Sequence, residues 1–153
     1  MPHLDRVEVL RPLLVGVLAV AITILIHAVP LSLTVRLVRQ ETRVGRAGAS
    51  FWSDWRIVAA VISFAFVAHL FEIAVWAALF LICGEFRQVG IAYYHSAVNY
   101  TTLGYGDLIM SARWKLLGPL EAADGTLMFG VSTAMIFALI LKLVQARFVD
   151  LRE

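Results

Sequence analysis

The chain has 153 residues, 61% of them hydrophobic, and a mean hydropathy of +0.83. Soluble domains average about 45–50% apolar residues, so the composition excludes an ordinary soluble fold and points to a membrane protein. A formal charge of +2 gives no ground for nucleic-acid binding, and a single cysteine, Cys83, excludes an intrachain disulfide. Cys83 ends an apolar run and reads as a small packing residue. No small-residue cleavage site closes the first apolar run, and two acids offset the two N-terminal arginines, so no signal peptide is expected.

The first apolar segment runs from Leu13 to Val35, interrupted by Thr23, His27, Pro30, Ser32 and Thr34. A basic stretch follows, with Arg36, Arg39, Arg43 and Arg46 at three- and four-residue spacing. These arginines lie beyond the apolar stretch, with Gly45 and Gly48 close behind. A helix face touching anionic lipid fits them better than a voltage sensor, at roughly 1 kcal/mol per basic residue near the surface. A second apolar segment covers Ile57 to Cys83 and contains His69 and Glu72. A third covers Leu116 to Val144, with Glu121 and Asp124 near its start. Each exceeds the ~20 residues that cross a ~30 Å hydrocarbon core. Between the second and third, Ile91 to Thr101 is too short to span. A short re-entrant helix is tolerated at membrane depth only where protein buries it or it lines a water-filled path.

Charge sets the expected orientation. The loop from Arg36 to Arg56 and the tail with Lys142, Arg147 and Arg152 are basic, whereas the N-terminus and the loop from Gly84 to Lys115 are nearly balanced. The positive-inside rule puts the arginine loop and the C-terminus in the cytoplasm and the N-terminus outside. Trp52 and Trp55 then suit an inner aromatic belt, and Tyr93 and Trp114 an outer one.

After the short segment comes Thr102-Leu103-Gly104-Tyr105-Gly106-Asp107. Gly104 and Gly106 can take positive φ at little cost, so successive carbonyls can turn toward one axis. Thr102 adds a hydroxyl acceptor, and Tyr105 can hold the strip open from outside. Carbonyl rings of this kind replace the hydration shell of a potassium ion. From Tyr94 to Asp107 the chain resembles the pore helix and selectivity filter of the potassium channel family. The third segment, Gly125-Thr126-Leu127-Met128-Phe129-Gly130-Val131-Ser132-Thr133-Ala134, is similar to the inner helix of the family's two-helix prokaryotic members. The resemblance covers roughly Ile57 to Val144. Departures are Val98, where some members carry a glutamate, and Tyr94, where tryptophan is common and whose hydroxyl could reach Asp107.

The resemblance implies an all-α membrane fold: three transmembrane helices, with a pore helix and filter between the second and third. It implies a homotetramer in a prokaryotic plasma membrane, with K+ as the permeant ion. K+ would be coordinated at Thr102, Leu103, Gly104 and Tyr105, with Gly106 and Asp107 completing the filter. Thr126, Phe129 and Thr133 would line the cavity. Gly125 matches the gating-hinge glycine, although Gly125 and Gly130 serve equally as close-packing positions. The organisation expected is 1–54 for the extra helix and arginine linker, 55–148 for the pore domain and 149–153 for a cytoplasmic tail. No cofactor, enzymatic constellation, small-molecule substrate or nucleic-acid partner is implied; membrane lipid, anionic lipid included, is. The competing class is a proton- or metal-regulated transporter or a non-conducting structural subunit, against which stand the lack of internal repeats and the single filter per chain.

His69, Glu72, Glu121 and Asp124 are ionisable groups in apolar helices, which cost several kcal/mol unless paired or wet. Three readings stay open for them: a hydrogen-bonded brace with at least one neutral carboxyl, a proton-sensing switch, and a metal site built on His-x-x-Glu. Glu72 is expected to couple to Glu121 or Asp124. His27 reads as a lone polar residue bonded to a neighbour.

Overall fold

The computed structural model describes residues 8–150, the last two by backbone only. The expected tail from 149, with Arg152, and the first seven residues lie outside the described side chains. Four helices follow in order: α1 (Leu10–Arg43), α2 (Phe51–Ile82), α3 (Val89–Tyr100) and α4 (Leu117–Asp150). Among the described residues three helices, α1, α2 and the 117–148 stretch of α4, are long and apolar enough to cross a membrane. α3 has 12 residues and is too short to do so.

α1 runs eight residues beyond the apolar segment. Arg36, Arg39, Gln40, Glu41 and Arg43 are good helix formers and extend it after the hydrophobic signal ends. Arg46 does not share that helix. It lies past Gly45 in the turn, 3.7 Å from Glu41, so the expected four-arginine helical row is three arginines on α1 and one beyond it. All four are exposed.

The first three helices stop in the same way. Past the end of α1, Gly45 N–H donates to Thr42 and Arg46 N–H to Glu41. Past α2, Gly84 N–H donates to Leu81 and Glu85 N–H to Phe80. These paired bonds satisfy the last carbonyls and require a left-handed residue just outside the helix. Gly45 (φ 66°) and Gly84 (φ 76°) supply it. α3 makes the same pair: Thr102 N–H donates to Asn99 at 2.8 Å and Leu103 N–H to Val98 at 2.9 Å. Here the left-handed residue is Thr102, at φ 60°, the one described non-glycine residue with positive φ.

The chain divides into two compact units. The first comprises the described residues through Leu25 with Leu70–Met128. Its core is built on Trp76, Phe80, Tyr100 and Leu117, all fully buried, with Ala19, Ile73, Met110 and Met128. The second comprises Ile26–His69 and the described residues from Phe129 onward, with a core of Val38, Ile57, Val61, Leu139 and Leu143. In it Asp54 accepts from Gly48 N–H at 2.8 Å and from Arg147 at 2.6 Å, tying the loop after α1 to the end of α4. Gly48 (φ 83°) has Ala146 against it, so this position has neither the conformational freedom nor the space for a side chain.

Candidate functional site

The site grows from the end of α3. Thr101 N–H and Oγ1 both bond Ala97 carbonyl, at 3.1 and 2.7 Å. The next three amides, of Thr102, Leu103 and Gly104, all turn back to Asn99 or Val98. A trans peptide holds its C=O opposite its N–H. Three N–H groups directed at the end of α3 therefore direct three successive carbonyls, of Thr101, Thr102 and Leu103, away from it. Beyond them the backbone alternates: φ is positive at Thr102, Gly104 and Gly106 (60°, 57° and 73°) and not at Leu103 or Tyr105. A Cβ at Gly106 would meet nothing within 4 Å, and one at Gly104 only Thr102 oxygen at 4.0 Å. Within one chain these glycines are thus required for handedness rather than for space.

Residues 102–107 are all exposed, Tyr105 at 65%. The strip's far end is tied by Tyr94, whose hydroxyl donates to Asp107 at 2.9 Å. That bond, foremost, raises the Tyr94 pKa above its ordinary value, so the phenol remains a donor. On the same helix His95 is buried and bonds Asn99 at 2.9 Å; burial pushes its pKa below the usual histidine range, against the opposing pull of Asp107 and Glu85. Glu85 accepts from Ser111 N–H at 2.7 Å and Ser111 hydroxyl at 2.6 Å, pinning the segment that returns to α4.

Behind the strip, the first unit gathers Glu72, Glu121 and Asp124, all essentially inaccessible to solvent. Each has a donor of its own. Tyr100 hydroxyl donates to Glu72. Ser96 hydroxyl lies 2.5 Å from Glu121 Oε1 and 2.8 Å from Ile73 carbonyl, sharing one proton between two acceptors. Glu121 Oε2 has no hydrogen-bond partner among the described residues. Asp124 accepts from Trp76 indole N–H at 2.8 Å and lies 2.9 and 3.0 Å from Thr23 hydroxyl. Tyr100 is the common point, since all three acids lie close enough to act electrostatically on its hydroxyl. Burial, then the Glu72 bond, holds the Tyr100 phenol well above its ordinary pKa. His69 belongs to the second unit, where its Nε2 is 3.0 Å from Ser132 Oγ, itself 3.2 Å from His27 Nε2. His27 is therefore bonded to a neighbour, as expected of it.

Gly125 follows Asp124 on α4, and an added Cβ there would sit 2.0 Å from Tyr100 carbonyl oxygen. The backbones of α3 and α4 touch at this point, which only glycine permits. A Cβ added at Gly130 would meet nothing within 4 Å among the described residues outside its own helix backbone. Thr126, Phe129 and Thr133 are exposed; Thr126 hydroxyl donates to Ala122 carbonyl, and the Phe129 ring lies 4.5 Å from His69. Tyr100, Ser96, Trp76 and Thr23 escaped the sequence reading. Ser96 and Tyr100 were findable, since i, i+4 spacing puts both on one face of α3.

Residues 68–142, just under half of the chain, match a family model described as ion channel. The match supports an ion-channel family. The matched channel segment spans the C-terminal part of α2 from Ala68, all of α3, the strip and most of α4. It points to a non-enzymatic channel, and with the three apolar helices it makes this a membrane protein. α1 and its arginines lie outside the match. No curated protein and no solved structure matches the chain.

Proposed function

We propose that four copies of this chain form a potassium-selective pore, with residues 102–107 as the selectivity filter and α3 as its re-entrant pore helix. The observation that carries the reading is the run of amides from Thr102 to Gly104 tied back to α3, which turns successive carbonyls the other way. Carbonyls facing a common axis take the place of ion-bound water, and closely spaced sites let ions move by knock-on. One chain supplies one strip, and a ring of strips closes by symmetry, as homo-oligomers do. The exposure of residues 102–107 in the single chain fits a surface that other copies cover. Asp107 adds negative charge at one end of the strip. Thr126, Phe129 and Thr133 line the cavity in this reading.

The test is reconstitution in planar bilayers under a potassium gradient. The reversal potential should follow potassium and rubidium and ignore sodium, barium should block, and native mass spectrometry should find four copies. A conducting protein whose reversal potential disregards the potassium gradient would remove the selectivity reading. A monomer or dimer as the sole conducting species would remove the fourfold one.

A further inference from the structure

Asp124 joins three helices and the start of the strip. It is 1% exposed, and its two named donors, Thr23 on α1 and Trp76 on α2, are fully buried. Trp76 N–H bonds Oδ2 at 2.8 Å. Thr23 Oγ1 lies within 3.0 Å of both carboxyl oxygens and 2.8 Å from Val20 carbonyl, so its hydroxyl straddles Asp124 and the α1 backbone. The next residue on α4 is Gly125, in backbone contact with Tyr100 carbonyl. Tyr100 is two residues from Thr102. The path from Thr23 to Tyr100 thus runs through one hydrogen bond, one peptide unit and one backbone contact, and two more peptide units reach the first left-handed residue of the strip. None of these parts is free to give: interiors are close-packed and transmit displacement. Gly16 of α1 adds a second contact in the same unit, with Leu120 Cδ1 2.7 Å from where its Cβ would be.

We propose that Asp124 is a positioning residue for the filter, and that α1 acts on ion selection through the Thr23–Asp124 bond. This rests on the potassium-pore reading above. α1 is then a working part of the pore, although Thr23 lies outside the ion-channel match. The rotation of α4 at Gly125 is fixed by the two donors that hold Asp124. Losing one lets α4 turn, moves Tyr100 carbonyl and disturbs the amides that orient the strip. A buried acceptor deprived of a donor retains its full desolvation penalty, so the site has a reason to rearrange.

The experiment compares wild type, T23V, T23S and W76F by potassium–sodium bi-ionic reversal potentials in bilayers, with thermal unfolding measured alongside. T23V keeps the shape and removes the donor; T23S keeps the donor; W76F keeps an aromatic ring and removes the indole N–H. T23V and W76F should each lower the potassium-to-sodium permeability ratio by about tenfold, the loss of roughly one buried hydrogen bond. T23S should hold the wild-type ratio. Should T23V fail to assemble, W76F carries the same expectation. Wild-type selectivity in W76F and T23V, whatever their melting temperatures, would make the contact a brace only and overturn the inference. A T23S as defective as T23V would overturn it too, since the hydroxyl would not be the cause. A wild type that passes both ions equally would instead overturn the selectivity reading, and this inference with it, and so is told apart from the other failures.

Discussion

Gly125→Ala sets two effects of known size against each other. In a helix interior alanine is favoured over glycine by about 1 kcal/mol. At position 125 the new Cβ would lie 2.0 Å from Tyr100 carbonyl oxygen and 2.9 Å from its carbonyl carbon. Carbon–oxygen contacts settle at about 3.3–3.6 Å, so α3 and α4 would have to part by more than an ångström. Overpacking costs typically ~1–3 kcal/mol, and a backbone obstacle that cannot change rotamer puts this site at the upper end. The net expectation is a destabilisation of ~1–2 kcal/mol. Gly130→Ala, with nothing within 4 Å of its Cβ, should be neutral or stabilising by up to ~1 kcal/mol. Thermal unfolding of both variants in detergent, followed by tryptophan fluorescence, measures the difference directly. A hinge glycine would behave otherwise: alanine would stiffen the helix, keep or raise the melting temperature, and shorten openings. Gly125→Ala as stable as wild type would refute the close-packing argument.

Three further expectations follow from the same contacts. Thr102→Gly should relieve ~1–2 kcal/mol of left-handed strain, less ~0.4–1 kcal/mol for the freer unfolded chain, while removing the hydroxyl from the strip. Unfolding should then show stability unchanged or raised, and bilayer recording a fall in potassium conductance; a loss above ~2 kcal/mol would refute the strain. Glu72→Ala should strand the Tyr100 hydroxyl and lower stability by ~1–3 kcal/mol, whereas Glu72→Gln keeps an acceptor and most of the stability, and equal losses would count against the bond. For Tyr94, the folded pKa lies above the unfolded value near ~10, so the Asp107 bond contributes fully below that pH and is lost as pH rises through the folded value. Tyr94→Phe should therefore erase part of the loss of stability as pH rises above ~10, and superimposable curves for the two proteins would contradict the assignment.

The three long helices were legible because lipid demands length and apolarity, and both are written residue by residue from Leu13, Ile57 and Leu116. The end of α1 was not, because Arg36, Gln40 and Glu41 carry no hydrophobic signal yet favour helix. Tyr94 and Asp107 could be paired in advance, since one lies midway along α3 and the other ends the strip that folds back from it. The acids were harder. Their depth in apolar helices identified His69, Glu72, Glu121 and Asp124 as a group; the three acids fall in the first unit and His69 in the second. The expected coupling of Glu72 to an inner-helix acid left out the donors. A buried carboxylate gains from O–H and N–H groups and loses beside another carboxylate, so each took its own: Tyr100, Ser96, and Thr23 with Trp76. Such donors come from distant parts of the chain and leave no spacing to read.

Thr102 marks where sequence rules and structure part most sharply. At Gly45 and Gly84 a helix stops where glycine announces it, and the rule that reads those two stops also expects glycine after α3. The chain puts a β-branched residue there instead. Threonine in the left-handed region is costly in general, and a residue so placed persists only when its surroundings over-determine it. Here they do: the amides of Thr102, Leu103 and Gly104 are all held by the last turn of α3, and Tyr100 just before them is wedged against Gly125. Glycine would make the same turn with less strain but without a hydroxyl. Retaining threonine makes chemical sense only if Oγ1 is needed where the carbonyls begin to face away from the helix, as the first oxygen ligand of the strip in the potassium-pore reading. Thr102→Ser then becomes the decisive companion to Thr102→Gly. It keeps the hydroxyl and sheds the methyl, so it should conduct potassium where glycine does not. If serine and glycine failed alike, the methyl group and its packing, rather than the oxygen, would be what the strained position preserves.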